Sequence, residues 1–155
     1  MIRRAEASDV GAIVALELAG FERARWSEAS WRAELDGADR CVLVASDDGR
    51  LAGVATFSIV ADTAELLRVV VAPQARRRGI AASLVDAGAA WAAGRGASEM
   101  LLEVAEGNAP AEALYRSAGF APIARRADYY GPGHHAIVMG RPVAAGQEIP
   151  AWVSR

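Results

Sequence analysis

The chain has 155 residues, 53% of them hydrophobic and 23% charged, with a formal net charge of −2, which is the size of one ordinary domain and gives no global attraction to phosphate polymers or anionic lipid. No stretch approaches the roughly 18 consecutive apolar residues of a membrane span, and Met1 leads into Ile-Arg-Arg without an apolar signal core, so a cytoplasmic protein with neither nucleic acid nor membrane as partner is expected. The lone Cys41 excludes an intrachain disulfide and a thiolate-rich zinc site.

Taken in chain order, Ile2 to Ala5 reads as a first strand, after which Ser8 is positioned to cap a helix carrying Ile13, Val14, Leu16, Leu18 and Phe21. Ser27 is placed to cap a second helix, with Trp31 and Leu35 on one side and Gly37 at its end. Cys41 to Ala45 and Leu51 to Val60 read as strands joined by the turn Asp47-Asp48-Gly49. Leu66 to Val71 is a further strand that stops at Ala72-Pro73. A helix bearing Ile80, Leu84 and Trp91 follows and closes at Gly94 and Gly96. Met100 to Val104 is an apolar strand interrupted by Glu103. Asn108 caps the next helix, Pro110 suits its first turn, and Gly119 suits a left-handed end. Ile123 and Ile137 to Met139 mark two last strands. The expected division is one domain over 1–141 and a tail over 142–155, in which Trp152 is a candidate anchor.

The chemistry concentrates in Val69-Val70-Val71-Ala72-Pro73-Gln74-Ala75-Arg76-Arg77-Arg78-Gly79-Ile80-Ala81-Ala82. A strand runs into an arginine-rich turn, and Gly79 and Ala81 open a helix whose first N–H groups lack intrahelical partners. Such a start suits a pyrophosphate, because the helix end attracts anions and small residues admit phosphate oxygens to the backbone. Arginines crowded before a helix N-terminus oppose its dipole, a local cost that a bound anion explains. Glu103 breaks an apolar strand, so it faces either solvent or a cleft that needs a carboxylate. Tyr115, on an amphipathic helix, is either a core aromatic with a satisfied hydroxyl or a proton donor. His134 and His135 follow Gly-Pro-Gly without clustered Cys or Asp, so no metal is expected.

Arg76-x-x-Gly79-x-Ala81 after a strand ending Val-Ala-Pro resembles the acyl-CoA pyrophosphate signature of the GNAT acetyltransferases. Leu102-Glu103-Val104, Asn108, Ala113 to Phe120, Arg125-Arg126, Tyr129-Tyr130 and Ala136 to Met139 resemble the bacterial ribosomal-protein-alanine N-acetyltransferase branch of that family, over roughly Ile2 to Arg141. The resemblance implies an α/β (α+β) fold with a mixed, mostly antiparallel sheet flanked by helices, and acetyl-CoA in the cleft between two splayed strands. It implies pyrophosphate contacts from Arg77, Arg78, Gly79, Ile80, Ala81 and Ala82, pantetheine pairing with the backbone of Val69, Val70 and Val71, and a further contact from Asn108. Glu103 falls where the family has its general base and Tyr115 where it has its general acid. The chain departs from the branch at Ala105, Asp128 and His134-His135, positions that bear on the acceptor.

An α-amine with a pKa of about 7.7 to 8.0 is roughly 10 to 20% neutral at pH 7, whereas a lysine near 10.4 is well under 1%, a difference of about 3.5 kcal/mol. An N-terminal acceptor therefore asks little of Glu103. Tyr115 would donate to the leaving sulfur, and a backbone N–H of Val70 or Val71 is the candidate donor to the thioester carbonyl. The expected function is transfer from acetyl-CoA to the α-amine of a protein N-terminus, by resemblance the alanine of a small-subunit ribosomal protein. A small-molecule amine acceptor and a non-catalytic acyl-CoA-binding module remain open. A dinucleotide-binding domain has little support, since no Gly-x-Gly-x-x-Gly follows a strand.

Overall fold

The computed structural model describes residues 1–143, so most of the expected tail, with Trp152, lies outside the described residues. Strand β1 is Ile2–Arg4. The expected Ser8 cap gives way to a carboxylate: Ala7–Asp9 is a single 3₁₀ turn, and Asp9 accepts from the Glu6 N–H at 2.7 Å. Arg3 forks onto the same carboxylate at 2.8 and 2.9 Å and is the first cause of its lowered pKa. A charged acceptor already held by a guanidinium is a stronger partner for a helix start than a serine hydroxyl. Helix α1 then spans Val10–Gly20, burying Val10, Ile13, Leu16 and Glu17, while Leu18 is turned outward and 56% exposed.

Helix α2, Glu28–Asp36, begins at Ser27, whose hydroxyl oxygen accepts from the Ser30 N–H. Strands β2, Arg40–Asp47, and β3, Arg50–Val60, form a hairpin. Its turn residues Asp48 and Gly49 stand at φ +50° and +76°, the left-handed pair that matches strand twist. Strand β4 is Thr63–Val71, helix α3 Ile80–Gly94 and strand β5 Glu99–Ala105. Helix α4, Ala109–Ser117, starts at Asn108, whose side chain accepts from the Ala111 N–H. Strands β6, Ala121–Arg126, and β7, Ala136–Pro142, are the last elements among the described residues. Pro142 pairs with Glu99 and Val143 is buried, so core packing runs past Arg141.

Among the described residues, seven strands form one sheet in the order β1-β2-β3-β4-β5-β7-β6. β4 and β5 are parallel, and the other neighbours are antiparallel. One face packs Leu43, Phe57, Leu66, Met100, Leu102 and Met139 against Leu84 and Val85 of α3. The other packs Val42, Val44, Val54 and Val70 against Ile13 of α1 and Trp31 of α2. Gly88 lets α3 settle on β3, since a Cβ there would lie 2.2 Å from the ring of Phe57, itself fully buried. Beyond β5 the cover thins: no residue of α4 is fully buried, and β6 is exposed along its length. Among the described residues no helix is long and apolar enough to cross a membrane.

Candidate active site

A break in the sheet organises the site. β4 and β5 pair only through Thr63, Ala64 and Glu65 against Glu99, Met100 and Leu101. Beyond that, β4 stays on β3 and β5 stays on β7. The register of β4 slips where the strands part, because Thr56 faces Arg68 while Phe57 faces Leu66, leaving Leu67 as an extra residue. Such a bulge bends its strand and raises local twist, which carries β4 away from β5.

The split exposes one edge of β4. The Ala72 N–H bonds the Ala52 carbonyl at 2.8 Å, and with Gly53 facing Val71 and Val54 facing Val70, antiparallel alternation turns the peptide groups of Val70 to β3. Those of Val69 and Val71 turn to the split. Consistent with this, the Val71 carbonyl accepts from Arg76 Nε rather than from β3. Of the three valines expected at the cofactor edge, Val69 and Val71 thus have their peptide groups toward the split and Val70 has its own in the β3 ladder.

At the same end, Pro73–Ala75 makes a 3₁₀ turn and Arg77 and Gly79 both adopt left-handed backbone, at φ +66° and +76°. Gly79 is the N-cap of α3 and supplies no side chain to cap it, so the first-turn N–H groups at Ile80, Ala81 and Ala82 keep no side-chain acceptor. A Cβ at Gly79 would meet nothing within 4 Å. Open space beside uncapped donors fits a pyrophosphate. Arg78 donates to Asp47 at 2.8 Å in an exposed pair, an interaction worth about 0–1 kcal/mol and readily exchanged for a phosphate oxygen. A groove of about 300 Å³, lined by Ala82, Asp86, Ser117, Gly119 and Arg141, continues between α3 and α4. Asn108 spends its carbonyl on the α4 cap, and its amide NH₂ has no partner among the described residues.

The two expected catalytic side chains lie on opposite faces of the sheet. Alternation along β5 sends Met100, Leu102 and Val104 into the α3 layer and leaves Glu103 on the other face. Tyr115 packs in the α3 layer with its ring edge-on to Phe120 at 6.2 Å. Burial pushes its pKa up from the ordinary 10.0, opposed by the charge of Arg68, which pairs with Thr56 on the far face. Protonated well beyond neutral pH, Tyr115 is suited to donate.

Glu103, 21% exposed, accepts from Arg126 at 2.7 Å. The guanidinium of Arg126 lies 4.4 Å from the ring centroid of Tyr129. Tyr129 has its pKa raised first by a hydrogen bond to Glu103, and Tyr130 has its own raised by burial and then by the Glu103 charge. Glu65 is pushed up by partial burial and then by Glu103. This carboxylate-rich, aromatic-walled face suits an approaching cation. Among the described residues there is no group of three or more His, Cys, Asp or Glu able to hold a metal.

Sequence reasoning did not assign Glu17, Arg68, Arg126 or Glu65. Glu17 is 1% exposed and binds Arg68 through both oxygens, at 2.9 and 2.8 Å. Removing one partner from such a pair costs about 3–5 kcal/mol. Its signal was available as one acid in an apolar helix face and one arginine in an apolar strand, but nothing local matched them across 51 residues.

The sequence profile of the acetyltransferase (GNAT) family matches residues 12–120. Over 100 residues, 63% of this chain and 68% of the relative, the chain is 37% identical to the [ribosomal protein bS18]-alanine N-acetyltransferase of Salmonella typhimurium. Over 113 residues, 69% of this chain and 60% of the relative, it is 38% identical to the streptothricin acetyltransferase of Streptomyces lavendulae. The crystal structure of the ribosomal-protein-S18-alanine N-acetyltransferase from Escherichia coli superposes with a TM-score of 0.80 at 28% identity, covering 97% of this chain and 98% of that one.

Proposed function

The chain belongs to the GNAT family and is an N-acetyltransferase, and from that premise we propose that it acetylates the α-amine of a protein N-terminus, by its likeness to the bS18-alanine enzymes an alanine of a ribosomal protein. The observation that supports the reading is the split, with the peptide groups of Val69 and Val71 turned to it on one edge and Glu103 on the strand across it.

Acetyl-CoA supplies the activated acetyl thioester. Arg77, Arg78 and the amides from Gly79 to Ala82 hold the phosphates, and Asn108 adds a contact. The edge of β4 pairs with the pantetheine arm as an added strand does. An N–H of Val69 or Val71 donates to the thioester oxygen as charge develops there. The amine nitrogen forms the new bond to the carbonyl carbon, and its proton passes to Glu103, directly or through a water. As the C–S bond breaks, Tyr115 donates to the departing sulfur. An α-amine suits this arrangement because it starts about 3.5 kcal/mol closer to the neutral form than lysine.

A second reading, a small-molecule amine acceptor, is favoured by the comparable identity to streptothricin acetyltransferase. Intact-mass spectrometry after incubation with acetyl-CoA separates the two. An Ala-initiated peptide should outperform its N-blocked counterpart by at least about 100-fold even with an internal lysine present. Acetylation of the blocked peptide at lysine, or faster acetylation of a small amine, sinks the N-terminal reading.

A further inference from the structure

The segment between α1 and α2 has little regular backbone pairing to hold it. Phe21 N–H bonds the Glu17 carbonyl at the end of α1, Arg25 bonds the carbonyls of Phe21 and Leu18, and Ala24 stands at φ +53°. One cation from the sheet gathers the rest. Arg68 leaves β4 next to the bulge, on the α1–α2 face opposite Thr56. Its guanidinium forks onto Glu17, donates to the Ala24 carbonyl at 3.2 Å, and lies 3.9 Å from the Phe21 ring centroid and 5.5 Å from that of Trp26. Glu17 in turn accepts from the Trp26 N–H at 3.3 Å. Arg68 lies past the three residues through which β4 pairs with β5, on the stretch of β4 that borders the split.

We infer that Glu17 and Arg68 are a positioning pair that fixes the segment Phe21–Trp26 against the bulge of β4, where it forms a wall of the acceptor's entrance to the split. The pair is 51 residues apart in sequence and joins the strand edge to the loop with one rigid, bidentate fork. Arg68 brings positive charge to the place a cationic amine must reach, and Glu17 neutralises it without occupying the split. Residues 21–26 thereby hold one geometry relative to β4 where it borders the split. The inference rests on the acceptor being acetylated at the split.

The test uses the full chain with three variants: Arg68→Met, Arg68→Lys, and Glu17→Gln/Arg68→Met, the last avoiding a buried carboxylate without a partner. Steady-state kinetics gives separate KM values for an Ala-initiated peptide and for acetyl-CoA, and amide hydrogen exchange is followed over residues 21–27. In the double variant the peptide KM should rise at least about tenfold while the acetyl-CoA KM stays within about twofold, with faster exchange confined to 21–27. Arg68→Lys keeps the charge and loses the fork, and should fall between wild type and the double variant. It carries the test if the other variants do not fold. A parallel rise in both KM values, or a peptide KM unchanged in Arg68→Lys, overturns the inference. If wild type acetylates a small amine and not the peptide, the N-terminal reading fails, and the same KM split is read on that amine.

Discussion

β4 and β5 are partners for three residues and unlike one another thereafter. Past the split β4 offers peptide groups, its valine side chains committed to packing, whereas β5 offers the carboxylate of Glu103 from an otherwise conventional ladder with β7. In the proposed reaction one strand works through its backbone and the other through a side chain. Binding an extended arm requires repeated amides, which any sequence supplies if the neighbouring strand is removed. Moving a proton requires one titratable group, which only the sequence can supply.

Proline substitution is the sharpest way to break the contrast, because it deletes an N–H and little else. Val71→Pro should lower kcat/KM by about 100-fold, about 2.7 kcal/mol of transition-state stabilisation, with the fold kept, since the Val71 N–H is outside the β3 ladder and extended Val70 tolerates a following proline. Val70→Pro deletes a ladder bond, and its circular dichroism should report a destabilised protein. Equal damage from the two would mean that β4 has no free edge. Next, Tyr115→Phe should reduce turnover about tenfold or more with acetyl-CoA affinity nearly unchanged in calorimetry. Because burial raises the Tyr115 pKa above 10.0, its donor form persists as pH rises, so the wild-type rate should show no alkaline limb below about pH 10 from this group.

Gly79→Trp tests the backbone side at its phosphate end. The mutant places a large side chain in the open space before α3, at a left-handed φ of +76°, and should weaken acetyl-CoA about tenfold, about 1.4 kcal/mol. Unchanged calorimetric affinity in a folded mutant removes the loop from the site. The smallest effect is expected from Val69→Ala, which trims a β4 side chain and leaves its peptide groups. kcat should stay within about threefold of wild type, and a larger loss would show that β4 acts by side chains after all.

Much of the local structure was legible because it depends on residues a few positions apart. Ser27, Asn108 and Asp48-Gly49 each act within their own turn, and each is found where the sequence put it. Ser8 was misjudged because the competing acceptor, Asp9, is strengthened by Arg3 from the preceding strand. Leu18 was assigned to the apolar face because hydrophobicity does not say which way a helix is rotated against its sheet. The arginine-rich turn before α3 was readable as a contiguous motif, and Glu103 as a charge in an apolar strand. The split was expected from the family resemblance alone and not from the residues that make it, since it coincides with a bulge at Leu67 whose residue type is ordinary for a strand. Nor were the partners of the two charges nearest it legible, as Glu17 meets Arg68 and Glu103 meets Arg126 only after the sheet has assembled.

The contact of Gly88 with Phe57 also serves as a gauge. Phe57 faces Leu66, the residue just before the bulge, and Gly88 lies eight positions beyond Ile80 on α3, about 12 Å along the axis at ~1.5 Å per residue. A helix keyed at one such point cannot slide along its strand, because the next register would drive a Cβ into the ring. The spacing between the N-terminal tip of α3 and the place where the sheet opens is thus set by a ring and a hydrogen atom. Any molecule gripped at both places is measured for length before its chemistry is tested.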